Sequence, residues 1–95
     1  MPKVRAFEVS PLPFEVQASL QALGQRIAAV RAARGLKQIE LAEMLGISRQ
    51  TMSFIENGKP AVQIGHYVRA LWLLDITDVN LHWSFPLEFK EGGEL

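Results

Sequence analysis

The sequence predicts a small all-α domain of four to five helices, followed by a β-strand near the C-terminus. Between residues 14 and 76, apolar side chains recur at the three- and four-residue intervals of amphipathic helices. Glycines separate these segments, and glycine is favoured where a helix ends. From residue 79 to residue 85 apolar and polar side chains alternate, which is typical of a half-buried strand.

Length and composition limit the classes of protein to which this chain can belong. Its 95 residues fit one domain, and a hydrophobic fraction of 48% suffices for a core. No apolar run is long enough to span a membrane, and residues 1–19 lack the pattern of a secretory signal, so we expect a cytoplasmic protein. The absence of cysteine excludes disulfides and cysteine-ligated zinc.

Charge is unevenly distributed, although the formal net charge is zero. Residues 18–60 carry six cations and three anions, a net charge of +3, and residues 61–95 carry two cations and five anions, a net charge of −3. The central segment would therefore attract phosphates, while the C-terminal part would repel them. An ordinary mixed surface is the alternative, and charge alone does not choose between the two.

The first long helix is predicted from Phe14 to about Ala33. Pro13 suits its first turn, where a missing N–H costs nothing, and Gly35 ends it. Residues 1–13 contain three of the five prolines, so we expect an extended N-terminal arm. The apolar stripe of the helix comprises Val16, Leu20, Leu23, Ile27 and Val30.

Residues 35–59 predict two short helices joined by a tight turn. The first begins at Lys37 or Gln38, and Gly46 follows its last apolar residue, where a left-handed backbone conformation closes a helix. Ser48 then stands where a hydroxyl can cap the next helix, which runs from about Arg49 to Asn57. Its inner face carries Met52 and Ile55, and its outer face carries Arg49, Gln50, Ser53 and Phe54.

This arrangement is a helix-turn-helix, whose second helix can enter the DNA major groove. Its most characteristic residues are Leu36, Gln38, Leu41-Ala42, Leu45-Gly46-Ile47-Ser48 and Ile55-Glu56-Asn57-Gly58-Lys59. In these residues the chain resembles the Cro/repressor-type (XRE) helix-turn-helix family. The chain departs from the family pattern at Lys37, usually Ser or Thr, and at Ile39, usually polar.

Four outward side chains of the second short helix are candidates for reading bases. Gln50 on the first turn can make paired hydrogen bonds to adenine, and Arg49 can bind guanine O6 and N7 or a phosphate. Phe54 can pack on a thymine methyl, or it is a peripheral core residue. Ser53 can bond a base or a phosphate.

A second set of residues is expected to contact the DNA backbone. The resemblance implies that Gln38 bonds a phosphate, assisted by the amides at the helix N-terminus. It also implies that Glu56 secures local structure. The other expected phosphate contacts are Ser48, Thr51, Lys59 and Arg34, of which Arg34 has helix capping as its alternative role.

A further helix is predicted from about Gln63 to Leu74. Its inward residues are expected to be Ile64, Tyr67, Val68, Leu71 and Leu74. Trp72 and Leu73 make the helix apolar on more than one side, which suggests a buried protein interface.

The predicted strand would leave two unpaired edges on a helical domain. Pairing with the same strand of a second subunit would satisfy one edge, so we expect a two-fold dimer; the rival partner is the segment from Lys3 to Val9. The expected organisation is an arm at 1–13, a helix-turn-helix DNA-binding domain at 14–76, a dimerisation strand at 77–87 and a flexible acidic tail at 88–95. The interface residues would be Trp72, Val79, Leu81, Trp83 and Phe85.

We therefore expect a homodimeric repressor that binds a palindromic double-stranded operator, autoregulates its operon and needs no cofactor. The chain from Phe14 to about Phe85 also resembles HipB-type antitoxins, which implies a HipA-type kinase toxin as partner. Phage or mobile-element regulators and restriction-modification controllers are alternatives, and a protein-interaction module that does not read DNA is an alternative of another class. An enzyme is not expected, because His66 and His82 lack metal-ligand spacing and no nucleophile motif is present.

Overall fold

The computed structural model describes residues 12–79, which form four helices. These are α1 (Phe14–Ala33), α2 (Gln38–Leu45), α3 (Arg49–Glu56) and α4 (Ile64–Leu73). The observed bounds confirm the predicted ones to within a residue. Within the predicted strand only residues 77–79 are described, and they have no regular secondary structure. The remainder of that strand and most of the predicted N-terminal arm lie outside the described residues.

One hydrophobic core joins the four helices. Leu41, Ala42, Met52, Ile55 and Ala70 are fully buried there. The prediction that Ile64 and Val68 face inward is wrong, because the side chains are 69% and 53% exposed. Since α4 is apolar on two sides, its sequence alone does not tell which side meets the core. The other core residues are Ile27, Leu45, Tyr67, Leu74 and Ile76.

The turn between α2 and α3 has the predicted geometry. Gly46 adopts the left-handed conformation, with φ of 72° and ψ of 31°. The Ile47 backbone N–H donates to the Ala42 carbonyl at 3.0 Å, which closes the end of α2. Ser48 caps α3, because its Oγ accepts a hydrogen bond from the Thr51 backbone N–H at 3.0 Å. A glycine and a hydroxyl thus fix the angle between the two short helices.

The start of α2 is secured without a capping hydroxyl. At the N-cap, Lys37 has an extended backbone, and its N–H donates to the Glu40 carboxylate at 2.7 Å. This is one half of a capping box, and it satisfies a backbone donor that the helix itself leaves unpaired. The helix therefore begins at Gln38.

Helix α1 lies close against the C-terminal end of α3, and two glycines allow this approach. A Cβ on Gly24 would lie 2.4 Å from the Ile55 carbonyl oxygen and 2.6 Å from that of Glu56. Gly58, which follows α3 with φ of 69°, lies against the backbone of Gln21 on α1. Contacts this short exclude any side chain at either position, so the two glycines set how deeply α3 sits against α1.

Several polar contacts fasten the chain on either side of α4. The Tyr67 hydroxyl donates to the Lys59 carbonyl at 2.7 Å and holds the segment that follows α3. Burial raises the pKa of that hydroxyl. Beyond α4, the guanidinium of Arg34 donates to the Leu74 carbonyl at 2.6 Å. Arg26 on α1 contacts both carboxylate oxygens of Asp78, at 2.7 and 3.0 Å.

Candidate nucleic-acid interface

The outer face of α3 presents the side chains that the sequence predicted as base readers. Arg49 and Gln50 are exposed on the first turn, Phe54 is 40% exposed one turn later, and Ser53 is half-buried between the turns. The opposite face is anchored by Met52, which is fully buried together with Ile55. Because α3 has only eight residues, these anchors determine which side chains point outward.

The N-terminal cap of α3 also arranges two hydroxyls that were expected to meet phosphate. The Ser48 hydroxyl donates to Thr51 Oγ1 at 2.9 Å while its oxygen accepts from the Thr51 backbone N–H. A hydroxyl has a single donor hydrogen, so Ser48 has used its own in this contact. The Thr51 hydroxyl keeps its hydrogen for an external acceptor. The geometry thus gives Thr51 the freer donor of the two.

A buried carboxylate links α1, α2 and α3. Glu56 accepts two hydrogen bonds from Arg31, one from Nε at 2.6 Å and one from Nη2 at 3.2 Å. It also accepts one from the Gln38 side-chain amide at 3.0 Å. The remaining Arg31 nitrogen donates to the Leu36 carbonyl at 2.7 Å. The side chains of Arg31 and Glu56 are only 18% and 7% exposed, so water screens this pair weakly.

This network orients Gln38 for the role that the family resemblance implies. A side-chain amide has two N–H donors, and Glu56 occupies one of those of Gln38. The second donor is available at the N-terminus of α2, where unpaired backbone N–H groups and the helix dipole favour an anion. Glu56 would not repel an anion bound there, because Arg31 neutralises its charge on the inner side.

The other predicted phosphate residues are spread around the helix-turn-helix. Lys59 is exposed just past α3, and its backbone N–H donates to the Phe54 carbonyl at 2.9 Å. Arg34 uses one nitrogen to hold Leu74, which leaves other guanidinium donors for a phosphate. Asn57 ends α3, and its side-chain amide bonds the Ser53 carbonyl at 2.8 Å. The structure brings Gln38 and Glu56 together, whereas Arg34 is engaged at the end of α4.

A shallow cleft of about 300 Å³ runs beside the outer face of α3. Phe54 lines this cleft and is 40% exposed, so its ring is at the surface rather than in the core. One wall belongs to α3, and the opposite wall comes from the segment that leads into α4 and from the first turn of α4. The lining residues are Thr51, Phe54, Ala61, Val62, Gln63 and His66.

Two of the predicted dimer residues lie in the described part of the chain. Trp72 is 74% exposed on α4, and Val79, six residues beyond the end of that helix, is 41% exposed. Leu81, Trp83 and Phe85 lie outside the described residues. Residues 12–79 contain no cluster of three or more potential metal ligands. No helix among them is long and apolar enough to cross a membrane.

Comparison with protein families identifies the motif. Residues 27–69 match the family model described as Helix-turn-helix. This match supports the resemblance of the segment to the XRE-type helix-turn-helix family. The matched segment begins in the second half of α1 and ends within α4, so it includes α2, α3 and the Arg31–Glu56 pair. The match supports a DNA-binding transcription regulator. Comparisons with curated proteins and with solved structures gave no match.

Sequence reasoning missed the full role of Arg31 and the role of Gly24. Arg31 is one of the six cations of residues 18–60, and it proves to be the ion-pair partner of Glu56. One signal was available, because Glu56 is the one acid in α3 and a partly buried carboxylate calls for a nearby cation. No local pattern marks Gly24, since its role depends on a carbonyl about thirty residues away.

Proposed function

We propose that this protein is a sequence-specific DNA-binding repressor that acts as a homodimer and autoregulates its operon. One observation carries the proposal. The outer face of α3 offers Arg49, Gln50 and Phe54 to solvent, while the inner face and the C-terminal end are fixed by the core and by Glu56. A rigid helix with hydrogen-bonding side chains on its first turn suits insertion into the major groove.

In this proposal, some side chains contact bases and others contact the DNA phosphate backbone. Gln50 would bond adenine, Arg49 would bond guanine or a phosphate, and Phe54 would pack on a thymine methyl. Gln38 at the start of α2 and Lys59 beyond α3 would hold the phosphate backbone on either side. Repression would follow from occupancy of a promoter, and the proposal assigns no catalytic activity to the chain.

Dimerisation is the second part of the proposal. Two α3 helices related by a two-fold axis would read a palindromic operator in successive major grooves. The exposed Trp72 supports an interface at α4, and the alternating sequence of residues 79–85 supports pairing of strands across the same axis. The likeness to HipB-type antitoxins further suggests that the repressor binds a HipA-type kinase toxin.

The first test is binding of the purified full chain to the DNA upstream of its own gene. Fluorescence anisotropy titrations against random competitor DNA, repeated at several salt concentrations, separate the candidate functions. A repressor shows selective binding that weakens steeply with salt, because phosphate contacts release counterions. Equal affinity for upstream and random DNA contradicts the proposal. Salt-insensitive binding to another protein, with no DNA binding, favours the interaction module.

Replacing Gln50 by alanine tests the proposed base contact. We expect Gln50→Ala to lower the preference for upstream over random DNA by about 1–3 kcal/mol, because a paired hydrogen bond to adenine is lost. Affinity for random DNA should change little. Gln25→Ala is the matched control, since Gln25 is exposed on α1 and far from α3 in sequence. An equal loss on both DNAs would show that Gln50 contacts phosphate or supports the fold.

The antitoxin role has its own test. The full chain is co-expressed with the product of the neighbouring reading frame and purified through a tag on that product. A stoichiometric complex with a kinase-like partner supports the antitoxin role. Operator binding without any such complex favours a phage-type or controller-type regulator.

A further inference from the structure

The outer face of α4 is apolar, and nothing in the described part of the chain covers it. Ile64, Val68 and Trp72 are 69%, 53% and 74% exposed. Their four-residue spacing places them in one stripe along the helix, which we call the α4 stripe. The other side of α4 packs on the core through Tyr67 and Ala70. A helix that is apolar on both sides is expected to be buried on both, so the α4 stripe requires a partner.

We infer that this partner is α4 of a second copy of the chain, packed antiparallel across a two-fold axis beside Val68. The inference rests on the proposed dimeric repressor and specifies its interface. Ile64 and Trp72 lie four residues before and after Val68. Reversing the helix direction therefore sets Ile64 of each copy opposite Trp72 of the other. An isologous interface needs this self-complementarity, because the same patch must meet itself.

A gap in the surface beside the α4 stripe favours close approach of a second helix. Gly65 follows Ile64 on the exposed side of α4, and a Cβ placed there would meet no atom within 4 Å. In the antiparallel pair, the partner's Trp72 lies over this position. Gly65 thus leaves room for an indole ring, and small residues at a helix contact shorten the distance between the two axes.

Charge also favours a second copy over a charged partner. Arg69 is the one residue of α4 from the set Lys, Arg, Asp and Glu, and it lies at the edge of the α4 stripe. The stripe itself offers no ion to pair with an acidic or basic groove. Apolar side chains that exclude charge are typical of the centre of a homodimer interface.

The α4 stripe alone is smaller than the interface of a stable dimer, and the chain continues beyond Val79. The α4 stripe covers two helical turns, a length of about 12 Å, which is too short to bury about 800 Å² per partner. The chain continues from the exposed Val79 into residues 80–95. Those residues include the alternating segment predicted to pair across the same dimer. The α4 stripe would form the apolar centre of the interface, and the chain beyond Val79 would add the remaining area.

Disulfide trapping tests the antiparallel geometry directly, because the chain contains no cysteine. Val68→Cys in the full chain places one thiol beside the proposed axis, within reach of its copy. We expect mild oxidation to convert most of it into a covalent dimer that still binds DNA. Met44→Cys is the matched control, since Met44 on α2 is 54% exposed and Val68 is 53% exposed. Cross-linking of Val68→Cys no faster than that of Met44→Cys overturns the inference.

A charged side chain at position 68 tests the same interface without cross-linking. We expect Val68→Glu to sediment as a monomer and to keep the helical circular dichroism of wild type, whereas Met44→Glu stays dimeric. A dimeric Val68→Glu overturns the α4 interface and leaves the DNA-reading proposal intact. A wild-type chain that is monomeric at micromolar concentration overturns the dimer altogether. If wild type binds DNA selectively and the cross-linked dimer does not, the antiparallel geometry is wrong. If wild type itself does not bind DNA selectively, the proposed function is wrong.

Discussion

Helices α3 and α4 are similar in length, yet the solvent-exposed face of α3 is largely polar and that of α4 is apolar. The outer face of α3 carries Arg49 and Gln50 beside one aromatic ring, and that of α4 carries Ile64, Val68 and Trp72. A polar exposed face suits a surface that must meet DNA and remain hydrated until it does. An apolar exposed face suits a contact that excludes water. The two helices thus point to two different partners.

The two helices also differ in how the rest of the molecule holds them. Glu56 ties the end of α3 to α1 and α2, and Gly24 lets the helix sit directly against the backbone of α1. The corresponding glycine of α4, Gly65, faces open space. At the exit of α4 the ion pair between Arg26 and Asp78 is exposed. Helix α3 is anchored on its inner side, whereas no residue in the described part of the chain covers the outer side of α4.

Removing the Glu56 carboxylate should give the largest effect on stability. Glu56→Ala leaves the half-buried Arg31 without its partner and Gln38 without its acceptor, so we expect the free energy of unfolding to fall by about 3 kcal/mol. Urea denaturation followed by circular dichroism measures the change. Glu43→Ala is the control, because Glu43 is exposed on α2 and should change stability by less than about 0.5 kcal/mol. A loss similar to that of the control would mean that α3 does not depend on this carboxylate.

The two helical glycines offer the sharpest comparison between the regions. Gly24→Ala forces a Cβ against the Ile55 carbonyl oxygen, so we expect a loss of about 2 kcal/mol. In the Val68→Glu background, where no second copy covers position 65, Gly65→Ala should raise stability by about 0.5–1 kcal/mol, because alanine favours the helix and meets no atom there. Thermal and urea denaturation of both variants measure the difference. Effects of the same sign would contradict the proposed contrast between an anchored and an open helix.

Removing the exposed ion pair should have the smallest effect on stability, and this effect should disappear at low pH. The hydrogen bond and the charge of Arg26 lower the pKa of Asp78. A lowered pKa in the folded state stabilises the protein above the ordinary aspartate pKa, about 3.9, and this contribution is lost as the pH falls through the lowered value. The melting temperature of Asp78→Asn should therefore approach that of wild type below about pH 4.

Asp75→Asn is the control for this pH dependence, because Asp75 is exposed near the end of the same helix and asparagine tolerates its positive φ of 62°. The difference in melting temperature between Asp75→Asn and wild type should not show the pH dependence expected for Asp78→Asn. A constant difference between Asp78→Asn and wild type at every pH would mean that Arg26 does not stabilise the ionised carboxylate.

Local signals in the sequence were enough to predict all four described helices. Gly46 and Ser48 mark the turn by their own backbone and hydroxyl chemistry, so the start of α3 could be placed correctly. Contacts between distant segments could not be predicted. Whether Ile64 is buried or exposed depends on which face of α4 meets the core. The contact between Arg31 and Glu56 joins residues that are 25 positions apart in the chain. Which bases α3 would read depends on the sequence and shape of the DNA, which the chain itself does not contain.

The most direct test of the central claim is to map DNA binding onto the two helices by NMR. A ¹⁵N-labelled full chain is titrated with its upstream DNA, and amide and side-chain shifts are followed. Binding through α3 predicts the largest changes at Gln38, Arg49, Gln50 and Lys59, with small changes at Val68 and Trp72. If the largest changes appear along α4 while the outer face of α3 is unaffected, the assignment of α3 as the DNA-reading helix is wrong.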